Sequence, residues 1–359
     1  MFDLEKLKGK RVAIVGGAGF IGHNLALKLK ELGAEPYVID GLQVNNIGYY
    51  TSDYEKNINA ERYIAFINER LSLLRKAKIG LKIMDVRDYH AISHAINEIK
   101  PEAVVHLAAI AHANRSNKDP FSTFDHSLRT LENVLDVTRS KGIHVIYFSS
   151  SMVYGNFDGE AVTEERVCSP MGIYGALKYG AEKLVIGYNQ VFNLPFTIIR
   201  PSALYGERCV SRRVGQAFIE NALVGEDLTV NGDGTEGLDF TYINDLVQGI
   251  ILSITKSDSI NQIFNITFGA ARSINQLAEI VMEKFSSNYQ AGSLSFEIIS
   301  NGKKLICNSG YFQNYKNKLN ELSKSSAIHS TLILDDRSSC KFTKDSTFLN
   351  LVRGEREHA

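Results

Sequence analysis

Charge of one sign is what this sequence lacks first: 40 basic residues balance 40 acidic ones across 359 positions. That balance argues against a nucleic-acid partner and against an anionic membrane surface. Cysteine is scarce. Cys168, Cys209, Cys307 and Cys340 are scattered with no close metal-type pair, which reads as free thiols in a reducing compartment. His106, His112 and His126 form no tight motif with an acid or a cysteine, so no metal is expected. No apolar run approaches the about 18 residues of a membrane span, and the opening MFDLEKLKGK is charged, without a signal-peptide core. No internal repeat recurs at a fixed period. These absences predict a cytoplasmic protein. The 44% of hydrophobic residues suffices for a sizeable core in one large or two closely packed domains.

Against that background stands VAIVGGAGFIG, Val12 to Gly22. An apolar run meets glycines spaced three apart at Gly16, Gly19 and Gly22, and Ile21, Leu25, Leu29 and Leu32 follow at helical spacing. That is strand, tight turn, helix. Glycine lets backbone N–H groups approach a pyrophosphate, and the helix N-terminus adds favourable partial charge. A second apolar stretch, Pro36 to Ile39, ends in Asp40, where a dinucleotide site needs an acid for the adenosine ribose. A carboxylate there repels a 2′-phosphate, so NAD is expected over NADP.

Further along, Ile79–Met84, Val104–Leu107, Val145–Phe148 and Ile198–Ile199 read as strands, alternating with helices at Tyr89–Ile99 and Leu128–Val137. This predicts an α/β fold: a Rossmann-like, doubly wound parallel sheet covered on both faces, with ligand-contacting residues at the strand carboxyl ends. Small residues after the fourth strand, Ala108 and Ala109, suit close approach of a flat cofactor. The stretch from Asp40 to Gly80 is too long for an ordinary connection. Its first half reads as a loop. Its second half places Tyr63, Ile67, Leu71 and Leu74 on one helical face, opposite charged residues.

After the strand ending at Phe148 comes Ser149-Ser150-Ser151-Met152-Val153-Tyr154-Gly155, and then Tyr174 and Lys178 at the start of a helix. Residues four apart share a helix face. A lysine there favours the phenolate, and a serine at a neighbouring strand end can hydrogen-bond the substrate oxygen. Together they supply a base, its electrostatic support and an oxygen-positioning donor.

These stretches resemble the extended short-chain dehydrogenase/reductase family, in its NAD-dependent epimerase/dehydratase branch acting on nucleotide sugars. The likeness runs from about Val12 to Phe285, through Gly16–Gly22, Asp40, Asp85–Asp88, His106–Ala109, Ser116 with Pro120, Ser149–Gly155, Tyr174–Lys178, Arg200–Gly206, Gly232–Gly234 and Asp239-Phe240. The resemblance implies Tyr174 as base, Lys178 holding the nicotinamide ribose, and Ser150 on the substrate oxygen, with Ser149 and Ser151 as neighbours of the same type. It implies a cofactor set of Gly16, Gly19, Phe20, Ile21, Gly22, Asp40, Asp85 near the adenine, Val86, Leu107, Ala108, Ala109, Tyr174 and Lys178. It also implies a homodimer through two helices beside the Tyr174 helix. Family chemistry oxidises a sugar carbon, commonly C4, to a ketone. A dehydratase places Asp and Glu just after the catalytic hydroxyl, whereas Ser151 and Met152 stand here. Neither is a carboxylate acid or base, which disfavours a 4,6-dehydratase. An epimerase is expected; net dehydrogenase or reductase action, and a non-catalytic NAD-dependent sensor or scaffold, stay as alternatives.

The substrate side departs from the family pattern. Ala203 stands where asparagine is common, and Leu238 where an arginine contacts the diphosphate. Arg208, Arg212 and Arg213 are the replacements expected on a diphosphate, with Ser150 and Ser151 on the sugar. The chain reads as an NAD-binding Rossmann domain at 1–200 with a helical insertion at about 43–80, a mainly substrate-binding region at 201–302 with some segments returning to the Rossmann domain, and a divergent tail at 303–359. The family's proline- and arginine-bearing closing stretch is absent from Gly302 to Ala359. A tail of little order, an altered reading frame and a subfamily-specific cap are all open there.

Overall fold

The computed structural model describes residues 4–52, 59–110, 113–157 and 161–289, with strand pieces at 298–300, 303–306, 333–334 and 337–338. After helix α1 (Leu4–Leu7), strand β1 (Arg11–Val15) leads into α2 (Phe20–Glu31). The chain continues as β2 (Glu35–Asp40), α3 (Ile47–Ser52), α4 (Ala60–Lys76), β3 (Gly80–Ile83), α5 (Tyr89–Ile99) and β4 (Ala103–His106). Next come α6 (Ala113–Lys118), α7 (Pro120–Phe124), a five-residue π turn into α8 (Thr130–Thr138), β5 (His144–Phe148), a 3-10 turn at Ser151–Tyr154, and α9 (Gly172–Phe192). The last described elements before the tail are β6 (Phe196–Pro201), β7 (Ala203–Tyr205), α10 (Val214–Val224), β8 (Gly237–Tyr242), α11 (Ile243–Thr255), β9 (Gln262–Ile266), β10 (Ala271–Ser273) and α12 (Ile274–Tyr289).

Seven strands form one parallel sheet in the order β3-β2-β1-β4-β5-β6-β9. This is the doubly wound arrangement predicted from strand–helix alternation. Its central strands are near-continuous apolar runs because both faces are covered. Val12 and Ile14 pack with Leu25, Leu29, Ile146 and Ile250 on one face; Ala13 and Val15 pack with Ile92, Ile96, Val104 and Val134 on the other. Two-residue alternation along each strand sorts the side chains between these cores. The winding reverses between β1 and β4, which opens a crevice at their carboxyl ends.

Helix ends follow local chemistry. The Asp88 carboxylate accepts from the backbone N–H groups of His90 and Ala91 and caps α5, and Lys100 closes that helix in the left-handed region. The insertion differs from expectation in one respect: the stretch read as a loop contains α3. Asn46 starts it, its side-chain oxygen accepting from the Ile47 N–H, and Tyr50 and Tyr63 stack edge to face beneath it, 5.1 Å between centroids.

The chain divides into two units. Unit 1 comprises residues 1–211 and 237–271, so β8, which pairs with β7, and α11 and β9 fall in the same unit as the large sheet; unit 2 comprises 212–236 and 272–359. Unit 2 has its own small core, in which Phe218 of α10 meets Ala278 and Val281 of α12. It also contains two antiparallel strand pairs, β11 (Ile298–Ser300) with β12 (Lys303–Ile306), and β13 (Ile333–Leu334) with β14 (Arg337–Ser338). Apart from these pieces, the tail expected at 303–359 lies outside the described residues.

Candidate active site

The glycine turn sits where the winding reverses. Gly16 adopts φ +79°, and a Cβ there would lie 2.8 Å from the Ala108 backbone nitrogen. Only glycine lets the turn after β1 meet the turn after β4. A Cβ on Gly22 would lie 2.4 Å from the Gly17 Cα, so α2 approaches the turn without side chains between them. Gly19 is the N-cap of α2 and supplies no side-chain cap, and no acid occupies the first turn. The first amides of Phe20, Ile21 and Gly22 therefore lie at an uncapped positive helix end, which suits a pyrophosphate. Leu107 is tied by its N–H to the Val15 carbonyl at 2.8 Å, which places Ala108 and Ala109 beside the turn. These residues fit a dinucleotide.

Asp40 ends β2. One carboxylate oxygen accepts from the Ala18 N–H at 3.0 Å and the other from Leu42 at 2.7 Å. Burial raises its pKa, while these N–H groups and the Arg70 charge act in the opposite sense. Asp85 is held by Arg87, whose guanidinium also binds Asp125. The hydrogen bond from Arg87 lowers the Asp85 pKa. Val86 is buried, and its carbonyl accepts from the Asn133 amide at 2.9 Å.

The structure brings the candidate catalytic residues together at the carboxyl end of β5. Ser150 is almost buried, and its Oγ accepts from the Met152 N–H at 3.2 Å, shaping the 3-10 turn. Ser151 begins that turn and is half-buried, whereas the Ser149 Oγ is buried with no hydrogen-bond partner among the described residues. Tyr174 and Lys178 lie one turn apart on α9, with the Lys178 Nζ 6.0 Å from the Tyr174 ring centroid. Lys178 is buried. Its Nζ donates to the Phe148 carbonyl at 2.6 Å and lies 5.1 Å from the centroid of Tyr147. Burial pulls its pKa down to about 8, against the raising influence of Glu182. His106 lies under the same face, 6.2 Å from the Tyr147 centroid; burial first, then the Lys178 charge, push its pKa down to about 3, against the raising influence of the Ala108 backbone. It is a neutral imidazole, and the described residues contain no cluster able to hold a metal.

Two features fix this geometry. A Cβ on Gly175 would lie 2.8 Å from the Met152 carbonyl oxygen, so glycine next to Tyr174 permits α9 to touch the serine turn. Behind it, Arg200 and Glu182 form a buried two-pronged ion pair at 2.9 and 2.7 Å. Arg200 also donates to the Tyr154 hydroxyl, which donates to Asn265. The network joins β6, α9, the serine turn and β9, and sequence reasoning gave it no role beyond the Arg200-Pro201 motif.

The three arginines expected on a diphosphate fall in both units and have different partners. In unit 1, Arg208 bonds His23 at 3.0 Å, Asn24 at 3.2 Å and Glu69 at 3.3 Å. In unit 2, Arg212 pairs with Glu220 at 3.3 Å, and Arg213 is the N-cap residue of α10. Arg70 and His23 went unnoticed in the sequence. Arg70 is fully buried, and its place one turn from Ile67 and Leu74 is the signal in the sequence.

Comparison with known proteins agrees with this geometry. The profile of the NAD dependent epimerase/dehydratase family matches residues 12–267, and that of Heparinase II/III-like, C-terminal, matches 269–359. UDP-glucuronate 4-epimerase of Thermodesulfobacterium geofontis is 26% identical over 305 residues, 82% of this chain and 89% of that protein. dTDP-glucose 4,6-dehydratase of Haemophilus influenzae is 26% identical over 257 residues, 68% and 71% of the respective chains. The crystal structure of UDP-glucuronic acid 4-epimerase from Bacillus cereus, in complex with UDP-glucuronic acid and NAD, superposes with a TM-score of 0.66. That match is at 25% identity and covers 76% of this chain and 82% of that one. With the glycine turn, Asp40 and the parallel sheet in place over the matched residues, the chain belongs to the NAD-dependent epimerase/dehydratase family.

Proposed function

We propose that this protein is an NAD-dependent nucleotide-sugar epimerase that inverts C4 through a transient 4-keto sugar. The observation that carries the reading is the convergence of Ser150, Tyr174 and Lys178 at the end of β5, beside a serine turn without a carboxylate. Tyr174 takes the proton of the sugar hydroxyl. The buried Lys178 charge supports the resulting phenolate. The Ser150 Oγ already accepts from Met152, so its own proton serves the C4 oxygen. NAD, when bound, supplies the two-electron acceptor and donor. The ketone then presents its other face, and Tyr174 returns the proton. The epimerase relative and the solved UDP-glucuronic acid complex support a UDP-sugar.

A 4,6-dehydratase needs an acid and a base next to the serine. Ser151 and the 40%-exposed Met152 stand there, so elimination of water lacks its carboxylates despite the dehydratase relative. A homodimer is supported by exposed Phe121 on α7 and exposed Val191 and Phe192 on α9.

The test is to incubate the purified protein with UDP-glucose, UDP-glucuronic acid and UDP-N-acetylglucosamine and follow the sugars by NMR and mass spectrometry. Epimerisation conserves mass. Loss of water, or consumption of added NAD, would replace the epimerase reading with dehydratase or dehydrogenase action. Tyr174→Phe is expected to lower kcat by about 10³-fold with bound NAD unchanged. Undiminished turnover would remove Tyr174 from the chemistry.

A further inference from the structure

We propose that Arg208, Arg70 and Tyr50 form a latch that ties residues 206–211 to the cofactor-binding helix and couples retention of NAD to the order of that loop. The loop follows β7, and the chain leaves unit 1 at its end, between Ser211 and Arg212. Arg208 holds a left-handed backbone, φ +62°, which a non-glycine residue keeps only when its surroundings hold it.

Three contacts hold it. First, the Arg208 guanidinium grips α2: Nε donates to the His23 Nε2 at 3.0 Å and Nη2 to the Asn24 Oδ1 at 3.2 Å. Second, the Arg208 carbonyl accepts from both Nε and Nη2 of Arg70, which reaches in from α4. Third, the Tyr50 hydroxyl of α3 donates to the Val210 carbonyl at 2.6 Å. The helical insertion therefore fastens both ends of a three-residue stretch, and the Arg208 side chain ties its first residue to α2.

The tautomer of His23 makes that last link directional. Arginine has only donors, so His23 Nε2 accepts from Arg208 and its proton sits on Nδ1. Nδ1 then donates to the Gly19 carbonyl at 2.8 Å. Gly19 is the N-cap of α2, within the turn that receives the pyrophosphate. A chain of hydrogen bonds thus passes from the loop, through a buried neutral imidazole, to the peptide that closes around NAD. Arg70 adds a second tie. It is fully buried, makes no ion pair among the described residues, keeps one Nη without a partner, and places its charge near Asp40. Arg208 is on this view a positioning residue and not a diphosphate ligand.

The proposal rests on NAD at the glycine turn and is independent of which sugar reaction follows. Its test has two readouts on the full chain with NAD bound: exchange of bound NAD for isotope-labelled NAD by mass spectrometry, and trypsin cleavage after Arg212 and Arg213. Arg208→Gln is expected to speed both about tenfold, the scale of one or two lost charge-assisted hydrogen bonds. Arg208→Lys keeps the charge but cannot hold His23 and Asn24 together, so it should behave as Arg208→Gln. Tyr50→Phe should raise both rates about threefold. Faster cleavage with NAD exchange unchanged, or no change in either, overturns the coupling. If the Arg208 variants fail to fold, Tyr50→Phe decides it alone, because a role confined to the loop would leave NAD exchange at the wild-type rate.

Discussion

Lys178 holds its charge against burial, and that sets a pH dependence. A buried ammonium with one carbonyl partner loses solvation, and its pKa falls from the ordinary 10.5 to about 8. Below pH 8 the lysine is charged and supports the phenolate of the proposed base. As pH rises through 8 the proton leaves and that support goes with it. Turnover at saturating substrate should therefore fall on the alkaline side with a midpoint near 8. The unfolded chain binds this proton up to a higher pH than the folded one. Its burial therefore opposes folding at pH values below 8, and the penalty is relieved between 8 and 10.5. A kcat–pH profile flat from 7 to 10 would show that the Lys178 charge is not required. Glu182 belongs to the same account. It raises the Lys178 pKa and is itself neutralised by Arg200 at 2.7 Å, so its removal would leave a buried guanidinium unpaired.

At the scale of elements, the contact between α9 and the serine turn controls where Tyr174 stands. Gly175 is the point of closest approach, and the obstacle to a larger residue is backbone, the Met152 carbonyl. Gly175→Ala must push the start of α9 away from Ser150. A displacement of a few tenths of an ångström to one ångström costs about 1–3 kcal/mol of strain and about 100-fold in kcat. Thermal unfolding and steady-state kinetics check both, and kcat within twofold of wild type would mean that α9 can move without disturbing the chemistry. Much of this geometry was legible in the sequence, because local spacing encodes it. The apolar run of β1, the glycines after it, and a tyrosine and lysine four apart each declare themselves within a few residues. Arg70 did not, because its partners are distant. Its spacing from Ile67 and Leu74 places it on the apolar face of α4, but the carbonyl it binds belongs to Arg208, 138 residues away. His23 was hidden likewise: its position on α2 is visible, but the arginine that fixes its tautomer is not.

At the scale of the whole molecule, the chain forms two units built from interleaved segments. Residues 237–271 return to the large sheet and contribute its edge strand β9, paired to β6 from Gln262 to Ile266. Unit 2 is assembled from 212–236 and from everything after Ala271. The family match ends at 267, close to that border, so the sheet and the glycine turn lie wholly within residues that the family pattern specifies. A chain ending at Ala271 keeps all seven strands of the sheet, Asp40, Ser150, Tyr174 and Lys178, but deprives Phe218 of its partners Ala278 and Val281. A buried phenylalanine contributes about 1.5–3 kcal/mol, of which the retained Val214, Ala222, Leu228 and Val230 supply only part. The truncated protein should therefore retain NAD at the full-length stoichiometry, read from the absorbance of released cofactor, while sugar turnover falls at least about 100-fold. Turnover near the full-length rate would mean that the residues after Ala271 take no part in substrate handling. Loss of NAD together with activity would mean that the sheet itself depends on unit 2. The predicted split follows from the border itself: the glycine turn, Asp40, Ser150, Tyr174 and Lys178 lie before it, and Ala278 and Val281, the partners of Phe218, lie after it.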